Sequence, residues 1–209
     1  GAATISGIIN AAAMTDAANV TFVVGSASPA TSSISASPTS ITADGLSTST
    51  ITVQLKDANG NNLTTGGDTV ALATTAGTLG SVIDNNNGTY SATLTSSIII
   101  SVASISGTLN GGGNTMIDTA SVAFTVGAAS TATSTITATP ASITADGASS
   151  STITVQLKDA NGNNLTTGGD TVTLATTAGT LGSVTDNNNG TYSATLTSST
   201  TVETATVNG

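Results

Sequence analysis

Apolar and polar residues alternate along this chain in short runs, with the two-residue period of a half-buried strand. In Ser49–Lys56 the apolar positions are Ile51, Val53 and Leu55, with Thr50, Thr52 and Gln54 between them. Val70 and Leu72 alternate within Asp68–Thr74, Tyr90, Ala92 and Leu94 within Thr89–Ser96, and Ala120, Val122, Phe124 and Val126 within Thr119–Val126. Ser33–Ala43 reads as a strand broken at Pro38, which suits a sheet edge because proline cannot donate to the ladder. A short strand is placed near Ser81–Ile83 and a longer one at Ile99–Ser106. The dipeptides Asn59-Gly60 and Asn87-Gly88 accept the positive φ that hairpin turns need. No long segment has helical periodicity. The pattern predicts an all-β protein, and about seven short strands per unit predict an immunoglobulin-like sandwich.

The pattern also repeats. "STITVQLKDANGNNLTTGGDTV" occurs at Ser49–Val70 and again at Ser151–Val172, an offset of 102 residues. "DNNNGTYSATLTSS" recurs at the same offset, at Asp84–Ser97 and Asp186–Ser199. From Ser49 to Ser97 only two positions differ from their counterparts, Ala71 against Thr173 and Ile83 against Thr185. A unit of about 100 residues is a domain and not a solenoid turn, so tandem sandwiches are expected. "DAANVTFVVG" (Asp16–Gly25) matches "DTASVAFTVG" (Asp118–Gly127) in the same frame. Gly1–Gly25 then corresponds to the last strand or strands of a preceding or neighbouring copy, Ser26–Gly127 to a complete copy, and Ala128–Gly209 to a copy lacking its last strand. In "TVETATVNG" (Thr201–Gly209) the residues Thr201, Glu203, Ala205 and Val207 alternate as a strand does. A segment like Ala18, Val20, Phe22 and Val24 is expected to complete the sheet beside Ala205 and Val207.

Composition narrows the chemistry. Charged residues make up 6% of the chain, the net charge is −9, and the basic residues are two lysines, Lys56 and Lys158. Phosphate backbones and anionic membranes need clustered Lys or Arg, so neither nucleic acid nor a membrane surface is an expected partner. Histidine and cysteine are absent, which removes zinc ligation, thiol chemistry, disulfides and any Ser–His pair. Serines and threonines abound, but nothing can deprotonate them, and no enzyme activity is expected. No apolar span of about 18 residues or signal peptide is present, so an export signal or anchor is expected outside this segment.

"SPTSITADGLSTSTITVQLKDANGNNLTTGGDTVALATTAGTLGSV" followed by "NNNGTYSATLTSS" resembles the bacterial Ig-like domain family 1, the repeats of invasin- and intimin-type adhesins. The resemblance covers essentially the whole chain, and "ADG…STITVQLKDANGN" is its specific part. The chain departs from the family at "NGNNL", where a proline often stands. The resemblance implies extracellular modules of a bacterial cell-surface protein, with receptor binding usually left to distal domains.

Several loops carry oxygen ligands. Asp57, Asn59 and Asn61 alternate in "DANGNN", a spacing a calcium loop could use, but the glycine sits in the wrong place for an EF-hand and no bidentate Glu closes it. An Asx-rich turn accounts for the same residues. Head-to-tail stacking of sandwiches offers a better calcium site, because Asp44 at one end of a copy would face Asp159, Asn161, Asn163 and Asp186 of the next. Calcium is the one cofactor these residues suggest. The lysines end a strand on its outward side, where they guard it rather than cross-link it. The glycine run Gly107–Gly113 reads as a flexible hairpin, since no Lys or helix follows it. Five Asn-x-Ser/Thr sequons, such as Asn62-Leu63-Thr64, are expected by chance in so Asn- and Thr-rich a chain.

The reading is a structural extender, or stalk module, of a repetitive bacterial surface adhesin or extracellular filament, each sandwich adding on the order of 40 Å. Its expected partners are neighbouring copies of the repeat, in the same chain or another subunit. One alternative is a filament subunit that polymerises by donating residues 8–25 into the incomplete domain 128–209. Another is a glycan- or receptor-binding module. That one is disfavoured because Tyr90, Tyr192, Phe22 and Phe124 are all expected to face inward, leaving no aromatic platform.

Overall fold

A computed structural model describes residues 1–111 and 113–209. The glycine run of the predicted hairpin therefore lies partly outside the described residues. Up to Gly127 the strands are β1 (Ala2–Ile9), β2 (Ala12–Thr21), β3 (Ser33–Ser37), β4 (Ser40–Thr42), β5 (Thr48–Gln54), β6 (Val70–Thr74), β7 (Thr78–Leu79), β8 (Ile83–Asp84), β9 (Thr89–Thr95), β10 (Ser101–Leu109) and β11 (Ala120–Thr125). Beyond it come β12 (Thr135–Thr139), β13 (Ser150–Gln156), β14 (Ala175–Thr176), β15 (Thr180–Leu181), β16 (Thr185–Asp186), β17 (Thr191–Thr197) and β18 (Val207–Asn208). Of the strand predicted near Ser81–Ile83 only Ile83 is strand, in β8, with β7 just before it, and the one predicted at Ile99–Ser106 begins and ends later.

The chain forms two compact units. The first consists of Gly1–Thr39, Ser49–Leu94 and Ala103–Val122, and the second of Ser40–Thr48, Thr95–Val102 and Ala123–Gly209. In the first, β1 and β2 make an antiparallel hairpin with Ala2 opposite Thr21 and Ile9 opposite Ala12. A five-stranded sheet has the order β3-β5-β9-β7, with β8 also on β9. Its inner face carries the apolar half of the alternation: Ile51, Val53, Leu55 and Leu94 are fully buried and Tyr90 nearly so. Across β10 and β6, Leu109 lies opposite Val70. Because these side chains are small, burial accumulates from many modest terms of about 0.8 kcal/mol per CH₂. Gln54, read as outward-facing, instead donates its Nε2 to the carbonyls of Leu55, Leu63 and Gly88 at 2.9, 3.3 and 3.1 Å. Gly88 sits at φ +80°, and a Cβ there would collide with the Leu63 carbonyl, so the turn at Asn87-Gly88 requires glycine for both reasons.

The second unit has a five-stranded sheet in the order β12-β13-β17-β15, with β16 on β17, and a small β14–β18 pair. Val155, Leu157, Leu165 and Tyr192 form a core cluster against which Val126, Val172, Leu174 and Val184 pack. In this unit β4 runs parallel to β11, with Ile41 opposite Phe124. The broken strand predicted at Ser33–Ala43 is accordingly two strands on either side of Pro38. β3 pairs antiparallel with β5 and β4 parallel with β11, each at the edge of its sheet. The counterpart of β4, Ser142–Thr144, is not a strand, because no strand equivalent to β11 lies beside it among the described residues.

Candidate functional site

The most elaborate polar cluster is built by the "DANGN" loop that follows β13. Asp159 is 2% exposed. Its Oδ1 accepts from the backbone amides of Asn161 and Asn163, both at 2.9 Å, and its Oδ2 from Asn163 Nδ2 at 2.9 Å and from the backbone amide of Gly127 at 3.1 Å. An aspartate at the head of a tight loop does this naturally, since its short side chain reaches amides two and four residues on. Burial alone would raise its pKa, but the donors from Asn163, Gly127 and Asn161 outweigh it and hold the carboxyl below its usual value.

The segment Gly127–Ser134, which enters this copy, is fastened to the same loop at further points. Ser130 donates its amide to the Lys158 carbonyl at 2.7 Å, Thr133 Oγ1 donates to the Asp159 carbonyl at 2.6 Å, and Lys158 donates its amide to Ser134 Oγ at 3.0 Å. The first unit repeats the arrangement. Gly25 donates its amide to Asp57 Oδ2 at 3.0 Å, Ser28 to the Lys56 carbonyl at 2.7 Å, and Thr31 Oγ1 to the Asp57 carbonyl at 2.7 Å. Hydrogen bonds from Asn61, Gly25 and Asn59 lower the Asp57 pKa to about 2.

A second cluster sits at the end of β4. Asp44 accepts from the amides of Leu46 and Ser47 at 2.8 and 2.7 Å, from Ser47 Oγ at 2.7 Å and from Ser96 Oγ at 3.1 Å. These donors hold its carboxyl well below the usual range. This loop and the one after β9 each present a carbonyl to the "DANGN" loop: Asn161 Nδ2 donates to Ala43 O at 3.2 Å and Asn163 Nδ2 to Ile98 O at 2.9 Å.

The five residues predicted to share calcium fall into three hydrogen-bonded groups. Asp44 serves its own loop, while Asp159, Asn161 and Asn163 serve the entering segment. Asp186 accepts from the amides of Gly169 and Asn188, each at 2.8 Å. Among the described residues no group of three or more His, Cys, Asp or Glu is placed to hold a metal ion. Asn161 and Asn163 instead use their side-chain amides as donors to the carbonyls of Ala43 and Ile98.

The predicted completing strand is exposed along its length. Ala18 and Val20 lie on β2, and the ladder extends to Phe22, whose amide donates to the Gly1 carbonyl at 2.7 Å. Val20, Phe22 and Val24 are 46%, 66% and 36% exposed, whereas their counterparts Val122 and Phe124 are buried. Phe22 is therefore not inward-facing as predicted: among the described residues no second sheet covers it. Of the predicted acceptor strand, only Val207–Asn208 is a strand, paired with Ala175–Thr176. Ala205 and Val207 are half-buried, and 201–206 are not strand, because they lack the neighbour that β10 has in β11. A cavity of about 390 Å³ opens there, lined by Ile136, Ile143, Ala145, Ile153, Leu196 and Val207 among others.

The hydroxyls of Tyr90 and Tyr192 are buried without hydrogen-bond partners. Burial first, then the nearby Asp84 and Asp186 charges, push the two pKa values up. The contact of Gly127 with Asp159, and the hydroxyls of Thr133 and Ser134, were not legible as a site. The signal that could have found them is that "DANGN" is identical in both copies and each is preceded, at the same spacing, by a Gly-Ser/Ala linker.

Comparison with known proteins gives the arrangement a context. A family profile described as invasin, domain 3, matches residues 28–127 and 130–209. Among solved structures, invasin, a bacterial integrin-binding protein, superposes with a TM-score of 0.64 at 30% identity over 99% of this chain. InvD of Yersinia pseudotuberculosis gives 0.56 at 35% identity over 85%, and the Escherichia coli adhesin FdeC 0.56 at 26% over 95%. The chain spans 41%, 51% and 66% of those three chains, respectively.

Proposed function

The chain belongs to the invasin domain 3 family of immunoglobulin-like adhesin modules, which are structural and not enzymatic, and from that premise we propose that it acts as a stiff extender in the stalk of a bacterial surface adhesin. The observation that carries this reading is the repeated fastening of each entering segment by a buried aspartate, Asp57 to Gly25 and Asp159 to Gly127. A linker held at several points along a few residues limits bending, which is what an extender needs and what a freely jointed string of ligand-binding modules does not. The two copies are nearly identical from Ser49 to Ser97, which supports a role set by number and length more than by individual surfaces. Ser26–Gly127 and Ala128–Gly209 are the copies in this scheme, and the bacterial surface is its location. Small-angle scattering of the full chain tests it: a rod-like profile supports the extender, and a broad distribution of end-to-end distances refutes it.

Strand completion between copies is a second reading, favoured by the exposed Val20, Phe22 and Val24 and by the cavity beside Val207, lined in part by Ile136, Ile143 and Leu196. Ile136 is 38% exposed while its counterpart Ile34 is 5% exposed, so a β11-like strand would find a complementary surface. In this reading residues 8–25 of one copy supply the last strand of another, by β-strand addition. Concentration-dependent head-to-tail oligomers that a peptide of residues 8–25 dissolves support it, and a monomer at all concentrations excludes it.

A further inference from the structure

Each copy carries two polar ends of opposite hydrogen-bonding character. At one end the "DANGN" loop offers side-chain amides, Asn59 and Asn61 in the first copy and Asn161 and Asn163 in the second. At the other end an aspartate folds a tight loop and leaves backbone carbonyls outward. Asp44 does so for Ala43, and the Ile98 carbonyl is supplied by the loop after β9, which Asp44 reaches through Ser96. Asp146 does the same in the second copy, accepting from the amides of Ala148 and Ser149 at 2.9 and 2.6 Å and from Ser198 Oγ at 3.2 Å. One donor end meets one acceptor end within this chain, through Asn161 to Ala43 and Asn163 to Ile98. Asn59, the counterpart of Asn161, bonds nothing through its side chain among the described residues.

We propose that these two ends are a matched docking pair, and that the partner each takes is the opposite end of another copy of the same repeat. Backbone carbonyls cannot pair with one another, so an acceptor end has to take a donor end, which favours head-to-tail order. It also sets rotation, because two bonds from residues two apart must reach carbonyls on two different loops. No charge and no ion is needed, which suits a chain whose net charge of −9 would otherwise push copies apart. The Ile98 contact uses only the backbone, so Thr200 at the same place in the second copy serves equally well, although the side chains differ.

The proposal rests on the extender reading, and one experiment separates the two. ¹⁵N relaxation on the full chain reports whether the copies tumble as one body. In the wild type they are expected to share a correlation time; if they tumble independently, the extender reading fails. Asn161→Ala, alone and with Asn163→Ala, is expected to split and shorten those times with little change in Tm for the single variant, because Asn161 is exposed and its bond is to Ala43. Asn59→Ala, the same substitution in a loop with no such carbonyl in reach, is expected to leave the times unchanged. A shared time that survives the double variant overturns the docking pair while leaving the extender intact. An equal effect from Asn59→Ala overturns it too, since the loop itself would then be the cause.

Discussion

The backbone amide of Gly127 donates to the carboxylate of Asp159 across 3.1 Å, and Gly25 repeats the bond to Asp57 at 3.0 Å. Gly127 lies two residues beyond the end of β11, which closes one copy, and Asp159 heads the loop that follows β13 in the next. A short linker thus becomes part of a folded loop. Removing the carboxylate in Asp159→Ala leaves three amides without their acceptor, those of Gly127, Asn161 and Asn163. The expected result is faster hydrogen exchange at all three and a loss of stability larger than that of Asn161→Ala. Unchanged exchange at Gly127 would show that the linker is held by other means.

Acid should release the same bonds. Hydrogen bonding from neutral groups, with no charged side chain among its causes, lowers the Asp57 carboxyl to about 2, against about 3.9 for a free aspartate. A depressed folded pKa contributes stability that is complete above the unfolded value and is lost as pH falls through the folded one. The joint is therefore expected to be indifferent to pH from neutrality to about 4 and to loosen between about 4 and 2. Gly25 and Asn61 amide shifts followed through that window check it. Titration centred near pH 6 would be incompatible with this origin.

A chelator is expected to change neither Tm nor scattering profile. Of the predicted cation ligands, Asp44, Asp159 and Asp186 accept from N–H and O–H groups, which engages their carboxylates without an ion, and Asn161 and Asn163 act as amide donors. A rise in Tm of several degrees on adding calcium, reversed by chelation, would reinstate the five predicted residues as a metal site.

Much of the fold was readable because side-chain alternation and burial coincide: Ile51, Val53, Leu55, Tyr90 and Leu94 were all placed inward from spacing alone. What was not readable came from bonds that spacing does not encode. Gln54 falls on an outward position, but its long amide curls back to three carbonyls. Ser142–Thr144 has the same sequence as β4 yet is not a strand, since a parallel edge strand needs its partner more than its own sequence. The "DANGN" loop was legible as an Asx turn and as a joint, but the two interpretations of its oxygens, cation ligand or amide acceptor, use the same residues.

Tyr90 and Tyr192 should tolerate loss of their hydroxyls. A buried hydroxyl without a partner contributes desolvation cost and no compensating bond. Tyr90→Phe and Tyr192→Phe are expected to be neutral or stabilising by about 1 kcal/mol or less in denaturant unfolding. A loss of more than about 1 kcal/mol would mean that the hydroxyl bonds as a tyrosine corner does.

Phe22 and Phe124 occupy matching places in the repeat, one exposed and one buried, and this gives strand completion its sharpest test. Phe124→Ala removes a ring that is 1% exposed and is expected to cost about 3–5 kcal/mol. Phe22→Ala removes one that is 66% exposed, and in dilute solution the cost is expected to stay within about 0.5 kcal/mol. If another copy takes up the β1–β2 hairpin, the two substitutions converge as concentration rises: wild-type stability climbs by mass action and Phe22→Ala no longer follows it. Equilibrium unfolding at a series of protein concentrations reads this directly. A wild type whose midpoint is flat across the series, with Phe22→Ala superposed on it throughout, leaves the hairpin without a partner among copies of this chain.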